Sequence, residues 1–330
     1  MAQAVELAQV WRGGRLESLH RGHAVVVDGG GAVVQAWGDP GLLVYPRSSA
    51  KMIQALPLVE SGAAAARGLG ADRLALACAS HNAAAIHVDP VNAWMAELGL
   101  DDAAFRCGPQ EPRDLPMRDA LIRAHQAPCQ VHNNCSGKHA GFLTLAAHLG
   151  AGPEYLEIDH PVQIAAREAF EDATGEDSPG WAIDGCSAPN HACTLAGLAR
   201  AMARFATAQT GQGARAEAML ALRRAMVAHP ELVAGEGRAC TALMRAMDGV
   251  AVKTGAEGVF VAILPGQGLG VAVKAEDGAT RAAESAIAQV LVRLGALPAD
   301  HPVATRLIHG PITNWRGLRT GEMRPGTAFA

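Results

Sequence analysis

The stretch Ser48-Ser49-Ala50-Lys51, taken with Ser80-His81-Asn82 and Lys253-Thr254-Gly255, decides how this 330-residue chain is read. Side chains three positions apart on a helix share a face, so Ser48 and Lys51 can meet while Ser49 is turned away. A serine hydroxyl attacks a carbonyl only when an adjacent base takes its proton. Lysine serves as that base when it is neutral, a state favoured by burial and by nearby positive charge. Ser80-His81-Asn82 ends the apolar run 74–79, and a hydrophobic segment that stops abruptly in three polar residues points at a cleft. Lys253 stands at the end of a strand, where it can project into a site beside the sheet, and Gly255 would let a ligand approach the backbone. Each fragment alone reads as a helix cap, a turn or a strand-end lysine. What distinguishes them is their order along the chain.

Outward from these positions, strand signals lie at both ends of the sequence. Residues 23–27 and 32–37 are apolar and β-branched, with the hairpin signal Asp28-Gly29-Gly30-Gly31 between them. Residues 48–60 read as a helix that Pro57 bends or interrupts. The middle is rich in alanine and leucine, with helical periodicity at 88–98, 139–149, 161–173, 195–208 and 214–228. Strands return at 250–253, 259–264 and 269–274, the last two joined by Pro265-Gly266-Gln267-Gly268, and a helix follows over 280–294. This order predicts an α+β fold: a mainly antiparallel sheet built from both chain ends, with a helical region inserted. A single domain over 1–330 is expected, sheet-rich over approximately 1–65 and 236–330 and helical over approximately 66–235.

Composition narrows the partners. The formal net charge is -4 and no basic block occurs, so neither nucleic acid nor an anionic membrane is expected as a partner. The N-terminus lacks a basic segment followed by an apolar one, and no run is long enough to span a bilayer, which makes the cytoplasm the expected location. The seven cysteines, Cys78, Cys107, Cys129, Cys135, Cys186, Cys193 and Cys240, are odd in number and irregularly spaced, and do not suggest a disulfide framework.

Ser-x-x-Lys, Ser-x-Asn and Lys-Thr-Gly, in that order, make up the motif set of serine β-lactamases and penicillin-binding proteins, here with a shorter gap between the first two. Two serine–lysine pairs could then face each other, Ser48 with Lys51 and Ser80 with Lys253. A further constellation is Asn133-Asn134-Cys135-Ser136-Gly137-Lys138-His139, read with Asp184-Gly185-Cys186. Two thiolates from separate loops could bind zinc, with His139 or Asp184 as the conventional third ligand. The spacing is not a standard zinc signature, and two buried free thiols are the alternative.

Taken together, these stretches, with Pro46-Arg47 before Ser48, resemble the Rhizobium-type, or class 3, L-asparaginases over essentially the whole chain. The resemblance implies a fold related to serine β-lactamases and serine-dependent glutaminases, and a homodimer. It implies catalysis by Ser48, Lys51, Ser80 and Lys253, and a zinc site on Cys135, Lys138 and Cys186 with water completing the shell. A lysine amine must lose its proton to coordinate, so zinc binding is expected to strengthen with pH. The expected reaction is hydrolysis of L-asparagine through an acyl-enzyme, with Ser48 as nucleophile and Lys51 as base. The oxyanion would be held by N–H groups at the start of the Ser48 helix and near Gly255. Arg47 is expected to dock the α-carboxylate, since a guanidinium matches a carboxylate in two parallel hydrogen bonds. His139 and Asp184 complete the expected substrate-binding set, Asp184 as an orienting acid. The competing readings are a glutaminase or penicillin-recognising acyltransferase on the same fold, a hydrolase using zinc-bound hydroxide, and a non-catalytic zinc- or amino-acid-binding protein.

Overall fold

Alternating apolar residues near both termini build one eight-stranded sheet. The computed structural model describes residues 2–329; Met1 and Ala330, which the single-domain expectation included, lie outside the described residues. The N-terminal part supplies β1 (Val5–Arg12), β2 (Arg15–Asp28) and β3 (Val33–Trp37). The C-terminal part supplies β4 (Ala251–Thr254), β5 (Val259–Leu264), β6 (Leu269–Ala275), β7 (Pro311–Thr313) and β8 (Arg319–Pro325). The order is β7-β8-β1-β2-β6-β5-β4, with β3 also paired to β2, and every pairing is antiparallel. The two ends of the chain are joined where β2 meets β6, from Asp28 opposite Leu269 to Gly22 opposite Ala275. The fold is thus α+β with a sheet assembled from both chain ends.

The hairpin signal at Asp28 is realised: its carboxylate accepts the Gly30 and Ala32 N–H groups at 2.9 and 3.0 Å. The helix expected over 48–60 is divided into a 3₁₀ turn Arg47–Ala50 and the short helices Lys51–Gln54 and Leu56–Glu60. Pro57 falls in the first turn of the last piece, where its missing N–H costs no bond. Three strands of this sheet went unread in the sequence. β1, β7 and β8 interleave polar residues such as Glu6, Gln9 and Glu322 with apolar ones, and few of their residues are buried.

All six residues of β5 are buried, as expected of a strand covered on both faces. Helices Leu195–Thr207 and Thr280–Arg293 both pack on β5 and β6. The first comes so close that a Cβ at Gly270 would stand 2.1 Å from the Ala199 carbonyl oxygen and 2.2 Å from the Ala203 nitrogen. The remaining helices enclose the loops that carry the polar motifs. Among the described residues, no helix is long and apolar enough to cross a membrane.

Because backbone atoms cannot give way as a side-chain tip can, Gly270→Ala is expected to destabilise the protein by about 3 kcal/mol. The measurement is the midpoint of urea unfolding at an unchanged slope.

Candidate active site

Four segments converge beside the end of β4. The Ser48 turn is brought there by a close backbone approach: a Cβ at Gly255 would lie 2.5 Å from the Pro46 carbonyl oxygen and 3.3 Å from the Ser49 nitrogen. Gly255 therefore makes room for the Pro46–Ser49 backbone, a different use from the ligand approach expected of it. Ser49 is buried and donates its hydroxyl to the Pro46 carbonyl at 2.7 Å, facing away from the site. Ser48 is half-buried and lines a cavity of about 350 Å³ together with Ser80, Asn134, Thr254, Gly255 and Ala256.

Ser80 follows helix Ala71–Ala77 in an extended loop. Its N–H donates to the Val233 carbonyl at 2.8 Å, and the next N–H, of His81, donates to the Asn134 carbonyl at 3.1 Å. The buried His81 ring reaches the Ser136 hydroxyl at 3.0 Å, and burial holds its pKa well below the usual imidazole range. These bonds fix the Ser80 loop to the segment that carries Cys135 and Lys138.

Both lysines expected at the site arrive at the Ser80 hydroxyl. Lys51 Nζ donates to Ser80 Oγ at 3.0 Å and to the Ala79 carbonyl. Lys253 Nζ donates to the same oxygen at 2.7 Å and to the Thr254 carbonyl at 3.0 Å. The two amines are almost fully buried, at 1% and 0% exposed, so neither can spread its charge into water. Burial, and after it the Lys51 amine, push Lys253 down to about 7. The Ser48 hydroxyl, by contrast, has no hydrogen-bond partner among the described residues. The structure thus gathers Ser48, Lys51, Ser80 and Lys253 at one place, but the direct serine–lysine contacts are those of Ser80.

Cys135, Lys138, Cys186 and His139 form a second buried group alongside. Lys138 Nζ donates to Cys186 Sγ at 3.0 Å, and Cys135 Sγ donates to the Asn134 side-chain oxygen at 2.9 Å. The neighbouring Cys135 thiol, against the cost of burial, holds Cys186 well below the usual thiol range. Burial opposes the charge on Lys138, and the Cys186 and Cys135 sulfurs outweigh it, so the amine stands above its ordinary value. His139 hydrogen-bonds Tyr155 through Nδ1 at 2.8 Å, and its buried Nε2 has no partner among the described residues. Burial lowers His139 to about 4.

Arg47 and Asp184 meet each other: Arg47 Nε donates to Asp184 Oδ1 at 2.6 Å. Asp184 also accepts the Gly185 N–H at 2.7 Å. Neither residue lines the cavity of Ser48 and Ser80, whereas three residues not singled out in the sequence, Arg113, Arg238 and Glu257, do. They stand alone in polar loops, without spacing or periodicity, and only the proline- and charge-rich run around Arg113 hinted at a special loop.

Hydroxyls beside a buried amine of depressed pKa, in an open cavity, are the equipment for acyl transfer from a carbonyl substrate. A family model described as L-asparaginase II matches residues 8–325. The chain belongs to that family and is an amidohydrolase. A comparison with curated proteins returns no match. Similar solved structures include Mglu in its native form, at 15% identity over 86% of this chain and 66% of that one, with a TM-score of 0.46. Mglu in its glutamate form shares 15% identity over 85% and 62%, at a TM-score of 0.49. A beta-lactamase from Mycobacterium bovis shares 12% over 84% and 95%, at 0.36.

The pKa of Lys253 sets the sign of a pH effect. Below about 7 the amine holds a proton and cannot accept one; above it the amine is neutral. Amide hydrolysis is expected to fall as the pH drops through this value, by one tenfold per pH unit on the acid limb. A pH profile of kcat/KM checks this, and a flat profile between pH 6 and 8 would contradict it.

Proposed function

We propose that the protein hydrolyses L-asparagine to L-aspartate and ammonia through an acyl-enzyme on Ser48. The observation that carries this reading is that Ser48 and Ser80 share one cavity of an amidohydrolase, with two buried lysines hydrogen-bonded to Ser80. Ser48 has a free hydroxyl on the cavity wall, where an amide carbon can meet it. Lys51, joined to Lys253 through the Ser80 hydroxyl, takes the Ser48 proton. Such a hydrogen bond often forms only once substrate is in place. As the Ser48 oxygen–carbon bond forms, the carbonyl electrons move onto oxygen. The N–H groups of Ser48 and Ala256 have no acceptor among the described residues and are suited to hold that oxygen. The Gly255 N–H is already committed to the Val259 carbonyl at 2.7 Å. One well-placed donor of this kind contributes about 10²–10³ in rate. Collapse breaks the carbon–nitrogen bond, and the nitrogen leaves as ammonia with a proton passed along Ser80 and the lysines. Water then attacks the ester, gives its proton to the same base, and aspartate departs.

A second reading makes Ser80 the nucleophile, and its contacts with both lysines favour it. The two are separated by trapping the acyl-enzyme and locating the adduct by peptide mass spectrometry. Ser48→Ala is expected to lower ammonia release from asparagine by about 10³-fold or more with the melting temperature unchanged. An adduct on the Ser80 peptide, or activity within tenfold of the parent protein, would move the role away from Ser48.

Zinc belongs to this proposal. Among the described residues no group of three or more His, Cys, Asp or Glu side chains is arranged for a metal. Cys135 and Cys186 nevertheless share a buried cluster with the Lys138 amine. Two sulfurs and a nitrogen are a donor set that suits zinc, and the unpartnered His139 Nε2 marks unsatisfied polarity there. Cys135, Cys186 and Lys138 would hold the ion, which when bound supplies positive charge close to the lysines. Cys135→Ser is expected to lower the zinc content found by metal analysis, and an unchanged stoichiometry removes Cys135 from the ligands.

A further inference from the structure

The wall of the Ser48 cavity carries charges that no protein group neutralises. Arg113 and Arg238 line it from the helical side, and Glu257 lines it from the sheet side. Elsewhere, arginines such as Arg73, Arg106, Arg215 and Arg245 are each paired with a carboxylate. Arg113 forms neither an ion pair nor a hydrogen bond among the described residues. Arg238 gives Nη1 to the Asn82 side-chain oxygen at 3.1 Å and is paired with no acid.

Asn82 brings the two arginines together. It stands two positions after Ser80, and its carbonyl accepts the Asp114 N–H at 2.9 Å, which pins the chain beside Arg113. Its Nδ2 donates to the Glu236 carbonyl at 3.3 Å and so holds the loop that leads to Arg238. Gly235, at φ +105°, lets that loop lie down: a Cβ there would be 2.5 Å from Asn82 Nδ2. The nearby acids are engaged elsewhere. Asp114 caps a helix through the Met117 N–H at 2.9 Å, and Glu236 binds Arg245 at 2.7 Å. Glu284 senses Arg238 without pairing with it, and burial lifts its carboxyl above the usual range. Burial is the first cause that lowers the pKa of Arg113, and the proximity of Arg238 is a second.

Glu257 is fixed on the opposite wall by an unusual backbone, at φ +55°. Its carboxylate lies against Gly278, with Oε2 2.8 Å from where a Cβ would stand, and forms no ion pair or hydrogen bond among the described residues. The Lys274 ammonium binds the Glu257 carbonyl at 2.6 Å and leaves the carboxylate free.

We propose that Arg113 and Arg238 receive the α-carboxylate of the substrate and Glu257 its α-ammonium, so that the cavity selects free zwitterionic amino-acid amides over simple amides and over asparagine within a peptide. This rests on the asparagine-hydrolysing reading of the same cavity. Planar guanidinium forks suit a carboxylate, and a lone carboxylate suits an ammonium. The residues position the substrate so that its side-chain amide is presented to the serines.

The test uses three ligands that need no turnover: L-aspartate, succinate, which lacks the α-ammonium, and β-alanine, which lacks the α-carboxylate. Their dissociation constants are measured by NMR titration on the parent protein and on Arg113→Ala, Arg113→Lys and Glu257→Gln, with thermal melts to show that each variant folds. Arg113→Ala is expected to weaken aspartate and succinate by about tenfold or more and to leave β-alanine within twofold; Arg113→Lys recovers part of the loss. Glu257→Gln is expected to weaken aspartate and β-alanine and to spare succinate. Changes below twofold, or equal losses for all three ligands, overturn the assignment. Ammonia release from asparagine is measured in parallel. Release by a protein whose aspartate binding ignores these substitutions sinks the inference alone. Selective binding without any release sinks the hydrolytic reading alone. A parent protein that neither binds aspartate nor releases ammonia sinks both.

Discussion

One hydroxyl with two buried amines around it governs the arrangement of the site. Ser80 lies between Lys51 and Lys253, and the two amines share a region closed to water. Two protonated amines at such a spot would repel each other without solvent to screen them. The site therefore has to keep one proton fewer than lysines usually carry, which on the proposed function supplies a base without recruiting histidine. The histidines close by have other duties. His81 ties the Ser80 loop to Ser136, and His139 is anchored on Tyr155. Both are buried and held neutral, so neither adds charge to the cluster.

The surrounding fold can be understood as the means of keeping that cluster in place. Ser48, Lys51 and Ser80 come from the first part of the chain, and Lys253 comes from a strand 173 residues beyond Ser80. A sheet whose middle joins β2 to β6 brings the ends of the sequence together, and glycines at tight contacts allow the approach. Gly255 admits the Pro46 turn, and Gly137 brings the helix that carries Lys138 within van der Waals range of Leu76. Arg113, Arg238 and Glu257 stand on the cavity wall, while Arg47, which the sequence suggested for the substrate, pairs with Asp184.

How much of this was legible in the sequence depended on whether a residue carried a pattern. The central strands β5 and β6 were legible because a fully covered strand is apolar throughout, and the Asp28 hairpin because its turn demands particular residues. Strands β1 and β8 were not, since strands with few buried residues mix polar with apolar side chains. The convergence of the serines and lysines could be read from the order of their motifs. The partner of Lys51 could not. Helical spacing offers Ser48 as the neighbour, but the long flexible amine reaches across to a loop that only tertiary packing brings near. Arg113, Arg238 and Glu257 left no trace in spacing at all, because a single charge on a loop looks like any solvated residue until the fold sets it beside a cavity.

The junction of Gly255 with the Pro46 turn has a consequence for how the molecule comes into being. A chain leaving the ribosome at about 5–20 residues per second carries the Ser48 turn early. That turn has no wall to lean on until β4 and the glycine after it have been made. Contacts of such long sequence separation form late, since the intervening chain must first be ordered. On the proposed function, the site therefore stays incomplete through most of the protein's synthesis, until the last third of the polypeptide completes what the first third began.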